Sequence, residues 1–149
     1  MALVATAGCG GGGNDTKFSS NIVGPWFLAK ITTPSTNSSS GTMITCPGSI
    51  SGYSCSVNQK ISFTNNGTYE AFSDSIEEAA GVYNLNGNLL TVKYQYISVP
   101  SVTYTNTYLA YIVLSNSSTT VNTLFATLSS TNDPAFSGDV GVQFTYGFE

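Results

Sequence analysis

From Pro25 onward, polar and apolar residues alternate with a period of two. Trp26, Leu28 and Lys30 take turns with Phe27, Ala29 and Ile31; Ile61 and Phe63 with Ser62 and Thr64; Leu90, Val92, Tyr94 and Tyr96 with Thr91, Lys93 and Gln95. Alternation of this kind sends successive side chains to opposite faces of an extended chain, so each run reads as a strand with one buried face. The longest runs from Ser101 to Leu114, where Val102, Tyr104, Tyr108, Ala110 and Ile112 share a face that also carries Asn106. Val121, Thr123 and Phe125 mark the next strand, and Val140, Val142, Phe144 and Tyr146 the last. Asn65-Asn66-Gly67 and Asn86-Gly87 supply the positive-φ positions of tight hairpins. The pattern predicts eight strands, at about 25–33, 59–64, 68–73, 81–85, 88–97, 101–114, 120–128 and 139–147, with Asp74 to Ala80 as a helical turn.

Successive antiparallel strands on short turns must either close on themselves or split into two sheets, because open edges invite aggregation. The expected fold is therefore all-β, an eight-stranded antiparallel up-and-down β-barrel over residues 22–149. An immunoglobulin-like sandwich is the alternative, but Cys46 and Cys55 are too close in sequence to bridge opposite sheets as that fold's disulfide does. A chain of 149 residues is long enough for one such core and short for two.

Composition narrows the partners. The cations are Lys17, Lys30, Lys60 and Lys93, with no arginine or histidine, and the formal net charge is −4. Nucleic acid is excluded as an expected partner, since neutralising phosphates needs clustered Lys and Arg. Only 8% of residues are charged, so Ser, Thr and Asn must keep the surface wet, which suits an exported β protein. No apolar run reaches the 18 or so residues of a spanning helix.

Before the strands lies Ala5-Thr6-Ala7-Gly8-Cys9, then Gly10 to Gly13, Asn14 and Asp15. Small residues ahead of a lone cysteine, with a glycine-rich stretch behind it, resemble a bacterial lipoprotein processing site, with Thr6 where that pattern usually has Leu. The resemblance implies that Cys9 carries a lipid and opens the mature chain. Residues 1–8, short and uncharged, are then the remnant of a signal peptide with a truncated or miscalled start. Residues 9–21 become a flexible tether. An ordinary free Cys9 in a flexible leader is the competing reading. Gly10 behind the cysteine, rather than aspartate, leans the expected location toward the outer membrane. Cys46 and Cys55 sit nine positions apart in a loop-like segment and are expected to form a disulfide, two free thiols being the alternative. Zinc lacks ligands there.

Three segments together carry a wider likeness: Ile22-Val23-Gly24-Pro25-Trp26-Phe27-Leu28, Ile61-Ser62-Phe63-Thr64-Asn65-Asn66-Gly67-Thr68-Tyr69, and Gly81-Val82-Tyr83-Asn84-Leu85-Asn86-Gly87-Asn88-Leu89-Leu90-Thr91-Val92. Their order and spacing resemble the small lipocalin-like lipoproteins of bacteria over residues 22–147. The resemblance implies that Gly24 and Trp26 open the first strand and that Trp26 seals the closed end of the barrel. In lipocalins an arginine on the last strand commonly packs over that tryptophan; here no arginine exists, so another group must close it.

A barrel of eight strands either fills its interior or holds one small apolar ligand. Tyr94, Tyr96, Tyr104 and Tyr108, on the two longest strands, are the candidate cavity wall, with rings to stack and hydroxyls to orient a ligand. Aromatics at period two equally well make an ordinary core. Without histidine there is no Ser-His or Cys-His pair, and no enzyme is expected. Glu70, Asp74, Glu77 and Glu78 match no calcium-loop spacing and read as a solvated acidic loop. Gly10 to Gly13 lacks the strand and helix of a phosphate loop. No cofactor or metal is expected. Two functional classes remain: a membrane-anchored lipoprotein whose barrel binds a small apolar ligand, and a structural or adhesive surface protein that self-associates. The interior volume discriminates between them.

Overall fold

A computed structural model of the chain describes residues 17–19, 22–35, 41–50, 52–115 and 122–148. Cys9 and Gly10 to Gly13 lie outside the described residues. The strands are β1 (Lys17–Ser19), β2 (Gly24–Thr32), β3 (Met43–Thr45), β4 (Gly48–Ile50), β5 (Tyr53–Cys55), β6 (Lys60–Phe63), β7 (Thr68–Ser73), β8 (Ile76–Asn86), β9 (Leu89–Tyr96), β10 (Val99–Leu114), β11 (Thr123–Thr131) and β12 (Gln143–Phe148).

Eight of them, β2 and β6 to β12, pair antiparallel in sequence order. The ring closes where Phe148 of β12 meets Trp26 of β2. The protein is thus a closed eight-stranded antiparallel barrel and not a sandwich. The remaining strands are additions: β3 extends the sheet beside the second half of β2, β1 pairs with the last residues of β10, and β4 and β5 form a separate small hairpin. Lys17–Ser19, in the stretch read as tether, therefore pairs with Leu114, Val113 and Ile112.

Two local expectations change. Asp74 to Ala80 is not helical: Ser73 pairs with Ile76, and Asp74 and Ser75 carry φ of 47° and 69°. Positive φ at both central residues is the backbone of a type I′ hairpin, whose twist matches that of the strands it joins. The strand predicted at 81–85 accordingly begins at Ile76. Among the described residues, the helical turn is instead a 3₁₀ turn at Pro134–Phe136, capped by Asp133, whose carboxylate accepts from the Ala135 N–H. The alternation of the first strand also breaks. Tyr146 pairs with Leu28 but Thr145 with Lys30, so a bulge at Ala29 turns Ile31 inward and Lys30 outward.

Inside, paired residues share a face, and the inward set is almost wholly apolar or aromatic. Trp26, Phe63, Leu90, Leu124 and Leu128 are among the largest fully buried side chains.

The two ends of the barrel and the cavity between them

Gly24 and Trp26 stand at the end where β2 starts. Trp26 is 2% exposed, and its indole N–H donates to the carbonyl of Ile22 at 2.7 Å. Phe148, on the last strand, meets the indole edge-on with ring centroids 5.0 Å apart. A phenylalanine thus closes over the tryptophan in a chain that has no arginine to do so. Gly24 makes this possible, because its φ is 130° and a Cβ there would overlap the Phe148 ring. Phe63 packs edge-on against Tyr83 at 4.8 Å, and the Tyr83 hydroxyl donates to the Thr64 carbonyl at 2.7 Å. Around Ile22, Leu85, Ala110 and Leu124 only about 20 Å³ stays open, room for about one water. This end is filled.

The opposite end is not. β6 pairs with β2 only as far as Lys60 opposite Phe27; beyond that, Lys30 to Thr32 of β2 pair with β3. The wall parts at this seam, and behind it lies a cavity of about 340 Å³. Leu28, Ile31, Ile61, Tyr69, Ala71, Phe144 and Tyr146, on the neighbouring strands β12, β2, β6 and β7, line it, and Tyr108 of β10 reaches it from across the barrel. That volume is at the lower end of the range for small-molecule sites, and the mostly apolar wall with a few polar groups is their usual character.

The β4–β5 hairpin covers the mouth through Gly52, Tyr53 and Ser54. Cys46 and Cys55 hold that hairpin at its base in the expected disulfide, with Cα atoms 5.4 Å apart. Tyr53 reaches Asp139 across the mouth, and burial together with that carboxylate's charge and hydrogen bond raises the tyrosine pKa. Lys60 stands at the rim with its ammonium 4.4 Å from the centre of the Phe72 ring, a cation–π contact. Glu78, of the acidic group read from the sequence, also borders the cavity.

The four candidate tyrosines separate. Tyr108 lines the cavity. Tyr94, Tyr96 and Tyr104 pack on one another with centroids 5.6–5.9 Å apart, away from the cavity wall. Tyr94 and Tyr96 donate to one oxygen of Asp133 at 2.5 and 2.7 Å. Burial, reinforced by this carboxylate, pushes both phenols far above their ordinary pKa. Burial alone dominates at Tyr69, Tyr108 and Tyr146; Tyr108 is pushed up to about 12 even though a hydrogen bond from Asn106 lowers it.

Sequence reasoning missed Asp133 and Thr131. The Asp133 amide donates to the Thr131 hydroxyl at 2.9 Å, Thr131 donates to Asn106 at 2.6 Å, and Asn106 donates to the Tyr108 hydroxyl at 3.0 Å. A continuous polar chain thus runs from the tyrosine cluster to the cavity. An aspartate directly before Pro134 signals a helical start, which would have located the turn but not its tyrosine partners. Among the described residues, no three of His, Cys, Asp or Glu converge as metal ligands would. No protein-family model, curated protein or solved structure matches this chain.

Proposed function

We propose that this protein is a lipocalin-like lipoprotein of the bacterial cell envelope that binds one small apolar ligand inside its barrel. The observation that carries this reading is the 340 Å³ cavity behind the β2–β6 seam, walled by apolar and aromatic side chains. The anchor is the lipid on Cys9, at the outer membrane. Because Lys17 pairs with Leu114 at the filled end, the chain leaves the barrel on the side of Trp26. At ~3.5 Å per residue, the eight steps from Cys9 to Lys17 reach at most about 28 Å. The anchored barrel would therefore stand with its filled end toward the bilayer and its cavity at the far end, suited to a ligand taken from solution or from another protein. Binding, not catalysis, is the role, with no cofactor and no nucleic acid.

An environment-sensitive apolar dye should bind wild-type protein saturably and one to one. Ala71→Phe places a ring in the cavity and should abolish that binding with the far-UV circular dichroism unchanged. Dye uptake that never saturates, or that ignores Ala71→Phe, would refute the cavity. For the anchor, Cys9→Ser expressed behind a complete signal peptide should leave the membrane fraction and take up no labelled fatty acid.

One observation favours the structural alternative. Ile76, Ile97, Val99 and Val102, on two neighbouring hairpins at the open end, are 40–70% exposed. Ordered oligomers that grow with concentration and dissolve on Ile76→Lys with Ile97→Lys would favour self-association over ligand carriage.

A further inference from the structure

The hydroxyls of the tyrosines packed in the barrel are not all used alike. Those of Tyr83, Tyr94 and Tyr96 donate to the protein, the first to a backbone carbonyl and the others to Asp133. Those of Tyr69 and Tyr146 make no hydrogen bond to a described residue, and since no buried polar side-chain atom among the described residues is left unpaired, they open onto the cavity. Tyr108 accepts from Asn106 but donates to none of the described residues, so its own proton is free. These three are also the tyrosines whose rings reach the cavity from inside the barrel. A tyrosine hydroxyl on a mostly enclosed ring normally finds a partner, and the space in which these three can find one is the cavity.

The charge around them is one-sided. Burial holds all three protons on well past neutral pH. Lys60, the cation bordering the cavity, stays at the rim over Phe72. The inner wall therefore presents neutral donors and no positive charge.

Taking the binding role above as given, we propose that the cavity receives a compact, uncharged ligand, an apolar body carrying a carbonyl or ether oxygen that enters first and accepts from Tyr69, Tyr108 and Tyr146. A carboxylate would lose its hydration there without gaining a cation. A plain hydrocarbon would strip water from the phenols and leave them unpaired, the situation in which polar sites discriminate most strongly.

The test uses the whole disulfide-bonded chain and three probes of one shape: 2-acetylnaphthalene, 2-ethylnaphthalene and 2-naphthoate. Titration calorimetry should find the ketone bound one to one, about tenfold or more tighter than the ethyl compound, and tighter than the naphthoate. Tyr69→Phe combined with Tyr146→Phe keeps both rings and deletes only unpartnered hydroxyls. It should lower ketone affinity toward the ethyl level while leaving ethylnaphthalene binding as it was. Equal wild-type affinities for ketone and hydrocarbon, a preference for naphthoate, or a ketone advantage that survives the double substitution would overturn the inferred ligand class and leave the apolar pocket standing. Saturable binding of none of the three would overturn both.

Discussion

The filled end and the open end of this barrel are made from the same alternating strands, and they differ in pairing and in size of side chain. At the Trp26 end the ladder from β12 through β2 to β6 is unbroken, with Phe148, Trp26 and Ile61 side by side on it and Phe63 opposite Gly24. At the other end β2 leaves β6 for β3, the inward position on β7 is Ala71, and a disulfide-tied hairpin covers the gap. A closed ladder forces side chains together and leaves them to fill the space, whereas a parted one leaves room that only a loop can roof. The end that stabilises and the end that can bind are therefore separate. Changes at the first should act on stability alone, and changes at the second chiefly on binding.

The largest expected effect is at the filled end. Trp26→Ala should cost about 3–5 kcal/mol in denaturant unfolding, much of the roughly 5–15 kcal/mol that holds a domain of this size. If it melts like the parent while dye binding is lost, the division between the ends fails. Removing the roof comes next: Cys46→Ser with Cys55→Ser frees a loop of about ten residues and should cost about 2–3 kcal/mol in the chain-entropy model, and it should also weaken dye binding. Third, Asp133→Ala deprives Tyr94, Tyr96 and the Ala135 amide of their acceptor. A loss of about 1–3 kcal/mol is expected. Leu28→Ala, at the cavity wall, should cost about 2 kcal/mol or less, below the usual span for leucine because its neighbourhood is already open.

Alkali sharpens the comparison further. Tyr94, Tyr96 and Tyr146 hold their protons in the folded state well above the ordinary value of 10.0, which they regain on unfolding. Above pH 10 the unfolded chain loses protons that the native one keeps, so stability falls as pH rises. Tyrosine absorbance near 295 nm should rise in two stages, exposed phenols first and the rest together with unfolding. A single smooth titration with the barrel intact would show that these phenols are in contact with water.

The strand pattern had most of the fold in it. Five of the eight predicted barrel strands match their observed spans to within two residues at each end, because a barrel buries one face of every strand and a period of two records that directly; those expected at 120–128 and 139–147 begin three and four residues later, which leaves Val140 exposed in a turn. The miss at Asp74 to Ala80 has a local cause: a run containing Glu77, Glu78 and two alanines favours helix by composition, and cross-strand pairing with Tyr96 and Gln95 overrides it. The Cys46–Cys55 pairing was legible from spacing, and Trp26 from its motif. The cavity was not. Tyr94, Tyr96, Tyr104 and Tyr108 are equivalent by alternation, yet Asp133, brought back from the β11–β12 loop, engages two of them and leaves Tyr108 to the open space.

The sequence by itself determined that this chain forms antiparallel strands, which face of most of them is buried wherever no bulge intervenes, and where one short loop is covalently tied, since alternation and cysteine spacing are local. Only the tertiary structure decided which inward aromatics fill the barrel and which face a void, because that depends on where β2 parts from β6 and on loops that return from distant sequence to meet the strands.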